Sequence, residues 1–134
     1  ILLIKFFSLV APNMGVLQLD ASGVSRDPAE VEKYLNDPLN FSGKLSARLV
    51  AELFATMDTV QARAVEIRLP MLILHGEADS MAAAEGSRFL HEHIRSTDKT
   101  LKIYPDLYHE IFNEPERLQV FADIEHWLDT LIKD

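Results

Sequence analysis

The sequence predicts an α/β fold: a helical first half, then strand, helix, strand and helix wound as part of a parallel sheet. Three observations carry this. Residues 69–76 (LPMLILHG) form a short, continuous apolar run opened by Pro70 and stopped by Gly76. That is how a strand reads when helices cover both of its faces. Residues 100–104 alternate, with Leu101 and Ile103 set against Thr100, Lys102 and Tyr104. A helical pattern follows each strand at the spacing of βαβα winding. Composition changes near residue 69, dividing the chain into 1–68, which holds helical patterns and loops but no convincing strand, and 69–134.

Ile1 to Val10 is apolar nearly all round, which predicts a helix buried on most sides and ended by Pro12-Asn13 and Gly15. Residues 13–27 read as loop. Asp27-Pro28 pairs a capping residue with Pro at the first helical position, and Glu30, Val31, Tyr34 and Leu35 carry a short helix to Pro38. A long helix over 44–66 sets Leu45, Leu49, Leu53, Met57, Val60 and Ala64 on one face. After the first strand, a helix over 82–95 has the stripe Ala83, Gly86, Phe89, Leu90, His93 and Ile94. Gly86 costs about 1 kcal/mol there relative to Ala, and a close approach of helix to sheet would account for it. The alternation at 100–104 implies one wetter face and a place near the sheet edge. Asn113-Glu114-Pro115-Glu116 is close to a capping box, and Val120, Phe121, Ile124, Trp127, Leu128 and Leu131 form the buried face of the last helix.

Acidic residues outnumber basic ones 21 to 13, for a net charge of −8, which argues against nucleic acid as a partner. The absence of cysteine excludes disulfides, thiol nucleophiles and Cys-ligated zinc. The opening apolar run is shorter than the roughly 20 residues that span a bilayer. It also lacks the basic flank and cleavage site of a signal peptide. It starts without Met, and two strands do not complete a sheet. The expectation is a piece of a longer protein, its sheet completed by a missing N-terminal half or by a second copy of the chain.

In open α/β sheets functional groups collect at the carboxyl ends of the strands. Here those loops read HGEADS (75–80) and YPDLYHE (104–110), so Asp79 and His109 share one end of adjacent strands. A carboxylate so placed can fix the tautomer of an imidazole, whose other nitrogen then accepts a proton from a nucleophile. The spacing leaves other roles open: Asp79 or Ser80 as the cap of the following helix, His109 as a surface loop histidine. His75 reads as packed and hydrogen-bonded, Glu77 as exposed and His126 as solvated. His91 and His93, two apart on a helix, face different directions and suit no metal site. Met81 either lines a substrate pocket or packs beneath the first half. Gly23-Val24-Ser25-Arg26-Asp27 comes nearest to G-x-S-x-G, but it lacks the second Gly and the preceding buried strand, and reads as a polar loop.

The segment LPMLILHGEAD (69–79) resembles the strand and HGxxD loop that carry the acid in α/β-hydrolases. KTLKIY (99–104), continuing to Tyr108-His109, resembles that fold's last strand and catalytic-histidine loop. The DKTLKIY strand followed by YH, together with Pro12-Asn13 and DPAEVEKYLNDPL (27–39), is similar to the monoacylglycerol lipase and lysophospholipase branch, which is serine aminopeptidase S33-like. The resemblance covers essentially the whole chain. It implies the C-terminal part of the α/β-hydrolase fold, with the last two parallel strands and helices in 69–134, preceded by a helical cap or lid in 1–68. It makes Asp79 the triad acid and His109 the general base. The family order Ser, Asp, His puts the nucleophile and the oxyanion hole upstream, with no nucleophile in this chain. The implied activity is hydrolysis of monoacylglycerol- or lysophospholipid-like esters by a serine hydrolase, without metal or organic cofactor. The implied setting is cytoplasmic, with peripheral membrane contact through the cap, and these 134 residues alone are expected to be inactive. Two other readings stand beside this one. The first is an α/β-hydrolase that cleaves epoxide, C–C or peroxide bonds with another upstream nucleophile. The second is a non-catalytic binding module.

Overall fold

The computed structural model describes residues 2–133, so Ile1, where the apolar run begins, lies outside them. In the second half the parallel pair is β3 (Met71–Gly76) and β4 (Lys99–Tyr104), joined by α4 (Ala84–His93) and followed by α5 (Arg117–Lys133). The strand starts at Met71, whose N–H donates to the Asp98 carbonyl at 3.0 Å; Pro70 has no N–H to offer. Register is unbroken from Met71 opposite Lys99 to Gly76 opposite Tyr104, so both strands end level. Alternate residues feed two cores. Ile73 packs with Ala64 and Ile94, joined by Phe89, Leu90 and Leu101. Tyr104, Leu107, Ile111 and Val120 form the other core, joined by Leu74 and Ile124. Both faces of β3 are thus lined, as its unbroken apolar run requires.

The first half holds α1 (Leu2–Val10), β1 (Gly15–Leu17), α2 (Pro28–Asn36), β2 (Leu45–Ser46) and α3 (Ala47–Arg63). Asp27 caps α2 by accepting the Ala29 N–H at 2.9 Å, with Pro28 at the first helical position. α1 packs along α3. Among the described residues no helix is long and apolar enough to cross a membrane.

Several local expectations are corrected. The stretch 13–27 is not all loop: β1 and β2 form a short antiparallel pair, too brief for a sequence period to register. The long helix begins at Ala47 because the Ser46 hydroxyl caps it, accepting the Leu49 N–H. Its buried residues are Ala47 and Val50, while Leu49, Leu53, Met57 and Val60 are about half exposed. Nor is α1 buried on most sides: Ser8 is its only buried residue among those described, and Leu2, Leu3 and Leu9 are largely exposed. It touches α3 on one side, and its other apolar sides have no cover here. On α4, Ala84 rather than Ala83 faces inward, and a Cβ on Gly86 would meet open space, so no close approach explains that glycine. Tyr104 is buried, not wet, because α5 covers its face of the sheet. The last helix starts at Arg117 without a capping box, since the Asn113 amide donates to Glu110 and Glu114 turns inward. Phe121 and Leu128 on that helix stay about half exposed.

Candidate active site

Because β3 and β4 end level, the loops that leave them run side by side. The Glu77 N–H donates to the Tyr104 carbonyl at 2.8 Å and the Ala78 N–H to the Leu107 carbonyl at 3.1 Å. Gly76 has no side chain to hold the loops apart, and backbone atoms of Leu107 and Tyr108 occupy the space a Cβ would need. Asp106, at φ 64°, makes the left-handed turn that bends the second loop back. This closeness brings Asp79 and His109 together, with Asp79 Oδ2 2.8 Å from His109 Nδ1.

The Asp79 side chain is almost wholly buried. Its Oδ1 accepts the N–H groups of Met81 at 2.7 Å and Ala82 at 2.9 Å. Those bonds cap the turn before α4, whose own cap position, Ala83, has no side-chain acceptor to offer. Capping and pairing therefore coexist on different oxygens. Burial pushes the Asp79 carboxyl up, but the Ala82 amide, the His109 ring and the Met81 amide together outweigh it and hold the group below its ordinary value. An ionised carboxylate only accepts, so Nδ1 of His109 carries a proton, and in the neutral ring Nε2 is then the nitrogen with the lone pair. Among the described residues Nε2 has no hydrogen-bond partner, and the ring is about 43% exposed. His109 and Asp79 line an open hollow of about 740 Å³ with Leu72, Leu74, Phe112 and Ile124. The arrangement is an imidazole held in one orientation beside an apolar-walled space.

His75 is packed and hydrogen-bonded. Its Nε2 lies 2.8 Å from the Ala82 carbonyl, which can only accept, so Nε2 carries the proton there, and Nδ1 faces the Ser87 hydroxyl at 2.8 Å. Asp79 Oδ2 is also within 3.3 Å of His75 Nε2. Met81 is not in the hollow with His109. It lines a second cavity, of about 530 Å³, with Leu19, Val31, Leu35, Phe41 and Leu45. Ser25 is buried, donates to the Asn113 carbonyl at 2.9 Å and accepts the Asp27 N–H at 3.0 Å, so its hydroxyl proton is committed to the backbone. Glu77 is exposed and pairs with Arg88. His93 stacks on Phe89 and His126 is exposed. Among the described residues no group of three or more His, Cys, Asp or Glu side chains could hold a metal.

Sequence reasoning misses Glu114, which sits unremarked inside the Asn113–Glu116 stretch that reads as close to a capping box. The carboxylate is completely buried and joins Arg26 to the backbone just before His109. Its sole local signal, an acid beside Pro115, also fits a helix start, and its partner Arg26 is 88 residues away.

Residues 1–116 match the family described as Serine aminopeptidase, S33. Over 124 residues the chain is 40% identical to the monoacylglycerol lipase of Mycolicibacterium smegmatis, covering 92% of this chain and 44% of that protein. Over 130 residues it is 35% identical to the monoglyceride lipase of Homo sapiens, covering 96% of this chain and 43% of that one. It superposes on the crystal structure of Paleococcus ferrophilus monoacylglycerol lipase with a TM-score of 0.86 at 34% identity, covering 95% of this chain and 50% of the other. The chain spans less than half the length of the curated relatives it matches.

Proposed function

The chain belongs to the Serine aminopeptidase, S33 family and has part of the α/β-hydrolase fold, and from that premise we propose that it supplies the acid and base of a serine ester hydrolase acting on monoacylglycerol-like lipids. Asp79 is the acid and His109 the base; the nucleophilic serine and the oxyanion hole come from sequence outside these 134 residues. Residues 69–134 then belong to the catalytic core and 1–68 to its cap. The observation that carries this reading is the 2.8 Å contact between Asp79 and His109, which leaves Nε2 open to a nucleophile. The substrate class follows from the relatives, monoacylglycerol lipases by name, and lysophospholipid is the neighbouring candidate.

In this reading His109 Nε2 takes the serine proton as the oxygen attacks the ester carbonyl carbon. It returns that proton to the departing glycerol oxygen, leaving an acyl-serine. Water then attacks, giving its proton to Nε2, and the serine regains one as the fatty acid leaves. Asp79 keeps Nδ1 protonated throughout and stabilises each imidazolium. Met81, with Leu19, Leu35 and Phe41, offers an apolar cavity suited to the acyl chain. The exposed Leu2, Leu3, Phe6 and Leu9 of α1 suit contact with a lipid surface.

The test is hydrolysis of monoacylglycerol by the longer protein this reading requires. Activity should need no added metal and should be lost to serine-directed phosphonates. Asp79→Asn should lower kcat by up to about 10⁴-fold, and His109→Ala by a similar order. The 134 residues alone should show no turnover above background. An inert longer protein, or one indifferent to both substitutions, would overturn the reading.

A further inference from the structure

The Glu114 side chain is fully buried and uses both oxygens across two segments far apart in sequence. Oε1 accepts the Arg26 N–H at 2.9 Å and the Tyr108 N–H at 3.2 Å. Oε2 accepts Arg26 Nε at 2.6 Å, and the same guanidinium pairs with Glu116. Around this carboxylate the two segments are laced together. The His109 N–H donates to the Gly23 carbonyl at 3.4 Å, the Glu110 N–H to the Val24 carbonyl at 2.9 Å, and the Ser25 hydroxyl to the Asn113 carbonyl at 2.9 Å. Tyr108 immediately precedes His109, so the acceptor on its amide fixes the backbone from which the imidazole projects.

We infer that Glu114 is a positioning residue: with Arg26 it ties segment 23–26 to the histidine loop and so holds His109 against Asp79. A buried carboxylate is costly unless each oxygen is satisfied, and here charge-assisted bonds from Arg26 and two backbone amides do so. The His109 end of the acid–base pair thus depends on the first half of the chain, although Asp79 and His109 both lie in the second. The inference rests on the role proposed for His109, but its readout is geometric and independent of turnover.

The experiment is NMR on the 134-residue chain. It follows the low-field Nδ1–H resonance of His109, assigned by its loss in His109→Ala, together with exchange of the Tyr108 amide. The Nε2–H of His75, bonded to Ala82, reports in the same spectra that the end of β3 is intact. Glu114→Leu refills the space without an acceptor. It should abolish or strongly shift the His109 signal and speed Tyr108 exchange by about tenfold or more, with the His75 signal still present. Glu114→Gln keeps one acceptor oxygen and should restore most of the His109 signal. If Glu114→Leu also loses the His75 signal, Glu114→Asp decides, because it keeps the charge but withdraws the acceptor by one methylene. It should shift His109 and leave His75. An unmoved His109 signal in a folded Glu114→Leu or Glu114→Asp chain overturns the inference, as does loss of both signals in Glu114→Gln. A Glu114 effect beside an inert longer protein would sink the proposed function alone; an active protein with His109 unmoved would sink this inference alone.

Discussion

Gly76 lies so close beneath Leu107 that a Cβ on it would stand 2.2 Å from the Leu107 carbonyl oxygen, and 2.4 Å from that of Tyr108. No side chain fits there, because the obstacle is backbone. Gly76→Ala must therefore push the second loop off the first. The expected cost is about 1–3 kcal/mol of stability, the range for overpacking a tight site, read as a lower urea midpoint. The Asp79–His109 contact should open with it, so the His109 Nδ1–H signal should weaken. A variant as stable as the parent chain, with that signal intact, would show that the loops can separate freely.

The acid limb of stability carries the signature of Asp79. Its carboxyl sits below the ordinary value in the fold, because the amides of Ala82 and Met81 and the His109 ring outweigh the opposing effect of burial. A folded value below the unfolded one means that the contribution is complete above the unfolded value of about 3.9 and is lost as pH falls through the folded value. Urea midpoints measured from pH 6 downward should fall less steeply for Asp79→Asn than for the unsubstituted chain. Parallel acid limbs would contradict the assignment.

Tyr104 makes the opposite prediction. Burial, and then the Asp123 carboxylate beside it, push its phenol well above the ordinary value. The hydroxyl donates to Asp123 Oδ2 at 2.8 Å, and Lys102 Nζ lies 2.5 Å from the same oxygen. The raised folded value gives a contribution complete below the unfolded phenol value of about 10 and lost as pH rises through the folded one. Tyr104→Phe should cost about 1 kcal/mol at neutral pH. The difference between the two alkaline absorbance titrations should place Tyr104 ionisation above the ordinary range. A difference curve centred on the ordinary value would contradict the buried hydrogen bond.

The 134-residue chain should associate in solution. Leu2, Leu3 and Leu9 on α1, and Leu118 and Ile132 on α5, are each more than 70% exposed. Among the described residues β3 pairs with β4 alone, so its other edge offers open hydrogen-bonding groups. Light scattering should show a mass that rises with concentration. A monodisperse monomer at high concentration would refute this.

The second half of the fold was more legible than the first, for a physical reason. A strand covered on both faces must be apolar throughout, so residues 71–76 announced themselves, and loops at level strand ends placed Asp79 near His109 from the chain order alone. The long helix did not announce its inward face. Leu49, Leu53, Met57 and Val60 are periodic and yet about half exposed, because a period shows which residues share a face and not what covers it. Glu114 was illegible for another reason. Its environment is set by Arg26, Tyr108 and the backbone of a distant segment, and no local pattern separates a buried acid from a capping one.

The two polar connections around His109 differ in how much chain they enclose. Asp79 and His109 are 30 residues apart, joined through one crossover helix, whereas Arg26 and Glu114 are 88 apart. Closing the longer loop costs about 1 kcal/mol more in chain entropy, and contacts of smaller sequence separation tend to form sooner. In refolding, the βαβ unit should therefore close first and bring acid and imidazole into proximity, with the segment around Arg26 captured afterwards. The imidazole would then meet its carboxylate before the brace that steadies it has locked, so the last event of folding would be the stiffening of the pair and not its formation.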